Sequence, residues 1–267
     1  MRKVRQVAHL PLMKLFASDN RQPVTIFSAV LSILIVLSAS SFALAQQKVS
    51  RRFPAAGKNV RFELKNVTGT ITVETWNRDE IQVTAFMDNH KATFNPRMTE
   101  AGLVIDIVGD NRGRNDVGDM NFRIQLPAKS SVDLETRSGQ INVRNVQGEL
   151  VRAHIWTSGD IQLEGINAAR VFASNTSGNI FFDGEFTAGG TYEFKSARGT
   201  ISLQLPASCG FHLVATSQVK QISMGPFWDD KRMKLMGEGR RITGDVGDGR
   251  ASVTITNFQG DIKFFRR

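Results

Sequence analysis

The sequence predicts an all-β protein, a parallel β-solenoid (β-helix-like) with coils of about twenty residues, on three observations. A polar-Ser-Gly-polar-Ile motif recurs in "RSGQINV" (Arg137–Val143), "TSGDIQL" (Thr157–Leu163) and "TSGNIFF" (Thr176–Phe182). Apolar residues fall at offsets −7, −5, +2 and +4 from the motif glycine, so the period-2 alternation of a strand flanks each turn on both sides. No stretch after Gln46 carries a sustained helical period.

From the N-terminus, residues 1–25 are mostly polar and carry Arg2, Lys3, Arg5, Lys14 and Arg21. "IFSAVLSILIVLSASSFALA" (Ile26–Ala45) follows, uncharged and ending in the small residues Ala43-Leu44-Ala45 before Gln46. A basic segment, an apolar segment and an A-x-A-like end predict a signal peptide over residues 1–45. The alternative is an uncleaved membrane tether, since twenty helical residues reach about 30 Å. Both Met1 and Met13 offer a start, the second giving the more usual leader length. Either way the remainder is expected outside the cytoplasm: periplasmic, cell-surface or secreted. Residues 46–57 read as a linker and 58–267 as a single β-repeat domain. Within it, 58–130 form an irregular N-terminal β portion and 131–267 regular coils.

The N-terminal portion begins with one good frame, since Gly69 is flanked by Phe62, Leu64, Ile71 and Val73. The pitch is then lost, and "IQVTAF", "LVIDIV" and "FRIQLP" read as alternating strands between polar loops, an irregular cap on the stack. From Gly139 the frame returns: Val132, Leu134, Ile141 and Val143 around Gly139; Val171, Ala173, Ile180 and Phe182 around Gly178; Tyr192, Phe194, Ile201 and Leu203 around Gly199. Gly260 repeats it with Val253, Ile255, Ile262 and Phe264, and Lys220 substitutes for the glycine between Leu213, Ala215, Ile222 and Met224. A weaker frame centres on Arg240 (Met233, Leu235, Ile242). Gly69, Gly139, Gly159, Gly178, Gly199 and Gly260 are thus assigned as structural turns, where glycine accepts φ > 0. Gly159 is irregular. Arg152 and His154 stand where its siblings are apolar, and the apolar set slips by one to Val151, Ala153 and Ile155, which predicts a bulge between Ile155 and Gly159. An antiparallel meander in a sandwich or barrel is the rival arrangement, because strand spacing alone does not separate the two.

"NVTGTITVETWNRDEIQV", "IQLPAKSSVDLETRSGQINV" and the serial "TSGDIQL" and "TSGNIFF" motifs resemble an adhesin-like family of bacterial envelope β-strand-repeat domains of unknown function. The resemblance covers roughly residues 58–267. It implies an exported, non-enzymatic, β-solenoid-like domain and brings no catalytic residues with it.

Charge and chemistry narrow the function. The net charge is +9, and removing residues 1–45 takes away five basic residues and one acidic residue to leave +5. That mild balance permits an anionic partner and gives no sign of nucleic-acid binding. Cys209 is the only cysteine, so no internal disulfide forms. His90, His154 and His212 pair with no other histidine or cysteine at ligand spacing, and no metal or other cofactor is expected. "GDNRGRNDVGDMN" (Gly109–Asn121) interleaves Asp and Asn with Arg112 and Arg114, and reads as a solvated mobile loop rather than a calcium site. "GDVGDG" (Gly244–Gly249) occurs once only. The candidate binding surface is "GPFWDDKRMKLMGEGRR", where Trp228 lies beside Lys231, Arg232, Arg240 and Arg241. Its plainer reading is a hydrophobic plug with a solvated basic turn. The expectation is a non-enzymatic envelope protein binding a protein partner, glycan or anionic polymer through a repetitive β surface. The alternatives are a β-helix enzyme acting on polysaccharide and a sensor or accessory domain tethered through Ile26–Ala45.

Overall fold

Strict alternation along the chain makes each strand amphipathic, and the parallel pairing of like coils buries all the apolar edges together. The computed structural model describes residues 46–55, 59–219 and 221–267. The leader, tether and start-site expectations for residues 1–45, and the Lys220 corner, lie outside the described residues. The strands are β1 (Gln47–Pro54), β2 (Arg61–Trp76), β3 (Glu80–Met87), β4 (Arg97–Thr99), β5 (Gly102–Asp106), β6 (Met120–Pro127), β7 (Ser131–Arg144), β8 (Leu150–Ser158), β9 (Ile161–Ile166) and β10 (Arg170–Ser177). They continue as β11 (Ile180–Gly184), β12 (Thr191–Arg198), β13 (Ile201–Leu205), β14 (Phe211–Ser217), β15 (Ile222–Ser223), β16 (Met233–Met236), β17 (Arg241–Val246), β18 (Ala251–Gln259) and β19 (Ile262–Arg266). One helical turn, α1 (Ile107–Asp110), follows β5.

The result is an all-β fold built on a large, mostly parallel sheet that turns a corner, with β2 and β7 contributing to both arms. One arm runs β4–β5–β2–β7–β8–β10–β12–β18–β14–β17–β16. The other runs β1–β3–β6–β2–β7–β9–β11–β13–β19–β15. Apolar rows cross each arm. Ile71, Ile141, Ile161, Ile180, Ile201 and Ile262 stack in consecutive register, all fully buried. On the other arm Phe62, Val132, Val151, Val171, Tyr192 and Val253 do the same. Each such side chain contributes about 1.5–3 kcal/mol of burial.

The glycine corner is a stack in its own right. A Cβ on Gly139 would lie 2.0 Å from the Gly69 carbonyl oxygen, and one on Gly178 2.2 Å from that of Gly159. The same approach recurs from Gly159 to Gly139, Gly199 to Gly178, and Gly260 to Gly199. Three residues before Gly178 and Gly260, a buried asparagine reaches across to the neighbouring coil. Asn175 Nδ2 donates to Gly159 O at 2.9 Å and Asn257 Nδ2 to Gly199 O at 2.8 Å. The amide oxygens of Asn66, Asn175 and Asn257 have no hydrogen-bond partner among the described residues.

Two expectations need correction, the linker and the Arg240 frame, and the order in which the coils stack is a further finding. Residues 46–57 are not a plain linker, because β1 pairs antiparallel with β3 and packs Val49 and Phe53 against the core. The charged Arg51-Arg52 pair hides that alternation in the sequence. The coils over 131–267 are not stacked in chain order: β18–β19 inserts between β12–β13 and β14–β15. An apolar period states that coils stack but not which neighbours they take. The frame around Arg240 is the antiparallel hairpin β16–β17, with Leu235 exposed. At the N-terminal end the order is permuted as well, since β5 and β6 lie outside β2.

Candidate binding groove

The irregular coil builds the most distinctive surface. Val151, Ala153 and Ile155 are fully buried and pair with Val132, Leu134 and Thr136, so the coil before Gly159 runs one residue out of frame. The register must then recover. Asn175 pairs with Ile155 and Ser177 with Ser158, so Trp156 and Thr157 occupy the space that Thr176 fills alone in the next coil. The surplus residue forms a bulge and puts the Trp156 ring outside, 58% exposed.

That ring is held in place. Its Nε1–H donates to Glu135 Oε1, and its plane meets the His154 imidazole edge-on at 4.4 Å between centroids. His154 Nδ1 is in turn hydrogen-bonded to Ser174 Oγ. Burial pushes the His154 pKa below its ordinary value of 6.5; Glu135 opposes the shift and Arg152 adds to it. Next to it Asp133 is buried and accepts from Arg152 Nε at 2.7 Å and from Arg152 Nη2, with Arg61 Nη2 at 3.6 Å.

Trp156 lines a cavity of about 600 Å³ with Val108, Lys65, Glu135, Arg112 and Arg137. A second, of about 570 Å³, shares Val108, Arg112 and Arg137 with it, so the two adjoin along the 107–119 segment and are taken together as the groove. Its wall comes from three places. β2, β5 and β7 bring Lys65, Asp106 and Glu135 into one row, with Lys65 in register between the other two. The bulge brings Trp156, and α1 with the segment after it brings Val108 and Arg112. Asp106 Oδ1 caps Gly109 N–H at 2.8 Å, and Lys65 pairs with Glu63 at 3.6 Å. Arg112 and Arg137 are exposed and form no ion pair among the described residues.

The loop expected to be mobile and solvated is exposed over Arg112–Asp116 but anchored at its start. Asn111 is buried, accepting from Thr93 N and donating to Thr93 O and Ile107 O, while Asp110 pairs with Arg97 at 3.1 Å. Sequence reasoning missed Trp156, Arg112, Arg137 and Val108 as a group. The signal available was the Arg152/His154 slip beside Gly159.

The sequence-predicted surface stands apart, at the β16–β17 end of the sheet. Phe227 is buried against Phe211 and Phe264, a hydrophobic plug. Trp228 is 39% exposed and donates to Asp230. Arg232 donates to Gly247 O and lies 3.8 Å from Asp229, and Arg240 pairs with Glu238 at 3.1 Å. Lys231 and Arg241 are exposed. The acidic residues of 244–249 are taken up locally: Asp245 by His212 at 2.6 Å, and Asp248 by Arg250, whose hydrogen bond lowers the carboxyl pKa. Among the described residues no group of His, Cys, Asp and Glu could hold a metal ion. Cys209 is buried, and burial raises its thiol pKa, the reverse of what a nucleophile needs. No helix among the described residues is long and apolar enough to cross a membrane.

The family model described as Toastrack DUF4097 matches residues 115–264. A proposed cell-adhesion protein from Clostridium sporogenes has a similar structure, with a TM-score of 0.54 at 15% identity over 83% of this chain and 100% of its own. At that identity the likeness speaks to the fold. A proposed adhesin from Bacteroides fragilis (TM-score 0.31, 12% identity, 82% of this chain and 98% of its own) and a proposed lipid-binding protein from Parabacteroides distasonis (0.35, 11%, 81% and 96%) are more distant. No curated protein matches the sequence.

Proposed function

The chain belongs to the Toastrack DUF4097 family, and on that premise we propose an exported, non-enzymatic, adhesin-like envelope protein that binds an envelope polymer. Its frame is a parallel β-solenoid whose rigid stack holds distant residues in fixed relation, which suits binding without rearrangement. The observation that carries the reading is the bulge before Gly159. It turns a tryptophan outward beside guanidinium groups that have no ion-pair partner among the described residues, at a cost in exposed apolar area that the fold itself does not need. Ile26–Ala45 directs export, by cleavage or as a tether.

The test is capture of envelope polysaccharide by the purified chain at low and high salt, compared with Trp156→Ala. Salt-sensitive capture that the variant loses supports the reading. Equal capture by both moves the surface elsewhere, with Trp228 and Arg240 next to be replaced.

The polysaccharide-cleaving enzyme remains the second reading because Asp106 and Glu135 line one cavity, as a carboxylate pair must. Both already serve as acceptors within the fold, Asp106 for Gly109 N–H and Glu135 for the indole. Release of new reducing ends, abolished by Glu135→Gln, would establish that reading instead.

A further inference from the structure

We propose that the groove is a site for an acidic glycan, a chain bearing uronate carboxylates, seated with one sugar ring on Trp156 and its carboxylate between Arg112 and Arg137. The assignment rests on the polymer-binding reading above and names its ligand class.

Three features of the groove select it. The first is the aromatic platform. With its Nε1–H committed to Glu135 and one flank closed by His154, Trp156 offers a ring face and no donor. A ring face suits the C–H side of a pyranose, and Val108, 46% exposed, extends the apolar floor. The second is the cation pair. Arg112 and Arg137 line both halves of the groove and have no carboxylate partner among the described residues, while other arginines of the same arm, Arg152 and Arg97, are paired. A guanidinium fork matches a carboxylate in charge and in geometry. The third is the acidic minority. Asp106 and Glu135 keep lone pairs that accept from sugar hydroxyls, and Asp119 lines the second half. Those carboxylates repel a polymer as densely charged as a nucleic acid, whereas a uronate offers hydroxyls beside its carboxylate for them to accept from. The combined cavities of about 600 and 570 Å³ each take a ligand of a few sugars.

The experiment titrates the intact purified chain with oligogalacturonate and, separately, with a neutral cello-oligosaccharide of the same length, by calorimetry at low and high salt. The expected result is salt-sensitive binding of the oligogalacturonate alone. Trp156→Ala weakens it by about tenfold or more, Trp156→Tyr restores most of it, and Trp228→Ala leaves it unchanged. Arg112→Gln with Arg137→Gln removes the preference for the acidic chain. Far-UV circular dichroism confirms folding, and Trp156, being exposed, can be replaced without opening the core. Equal binding of both oligosaccharides through Trp156 overturns the acidic assignment and leaves the polymer-binding reading standing. Binding of neither, or binding that survives Trp156→Ala, overturns the site, and the envelope capture experiment then decides the wider reading by itself.

Discussion

Gly178→Ala is predicted to destabilise the fold severely through one methyl group. Gly178 sits inside the corner stack at φ +127°, a conformation L-residues rarely adopt. Its new Cβ would fall 2.2 Å from Gly159 O and 2.6 Å from Gly159 C, about 1.2 Å short of ordinary contact with the oxygen. Neither atom can move alone, since both belong to backbone that packs on Gly139 behind it, where a Cβ on Gly159 would fall 1.5 Å from Gly139 O. Backbone strain contributes about 1–3 kcal/mol and overpacking about 1–3 kcal/mol, together about 2–6 kcal/mol. Urea unfolding followed by far-UV circular dichroism measures it. With an m-value of about 2–3 kcal/mol/M the midpoint falls by about 1–3 M. The control is Gly189→Ala, also at positive φ (+78°) but with nothing within 4 Å of its Cβ, which pays the conformational cost of about 1–2 kcal/mol and no clash. Equal midpoint shifts for the two variants would refute the stack as a packing constraint.

Three further outcomes follow from the same structure. Asn175→Ala removes the donor to Gly159 O from a buried corner and lowers stability by about 1–3 kcal/mol, read as a midpoint shift with unchanged slope. Arg152→Ala leaves the buried Asp133 carboxylate with only Arg61 at 3.6 Å, for a loss of about 1.5–3 kcal/mol, while Arg250→Ala at an exposed pair leaves the urea midpoint almost unmoved. His154 makes stability pH-dependent. Its folded pKa lies below the ordinary 6.5, so the unfolded chain binds the extra proton, and the contribution is complete above 6.5 and fades as pH falls through the window below it. In parallel urea titrations His154→Gln loses this slope; an identical pH profile for parent and variant contradicts it.

Much of this fold is written in local alternation. The four apolar offsets marked the residues that became the buried rows, from Phe62 to Phe264, because a strand's inward face repeats every second residue whatever its neighbours. The slip at Arg152 and His154 was equally legible, since it reverses which residues can face the core. Neighbour choice was not. β18 carries the same apolar offsets as β14, and nothing local tells β12 which to take; the closest approach of Gly260 to Gly199 is a tertiary fact. The groove was hidden for the same reason. Lys65, Asp106, Arg112, Glu135 and Trp156 are distant in sequence and meet because β5 lies outside β2 instead of following it. Trp228 drew attention because its aromatic and basic neighbours were contiguous, yet Arg232 and Arg240 bond locally.

The most direct measurement uses the indole N–H resonances of the three tryptophans, Trp76, Trp156 and Trp228. Trp76 donates to Glu80 O, Trp156 to Glu135 and Trp228 to Asp230, so each reports on a separate place in the fold. In a titration of the nitrogen-15-labelled chain with oligogalacturonate, the Trp156 signal is expected to move and saturate while the other two stay in place. A saturating shift at Trp228 with Trp156 unmoved would contradict it.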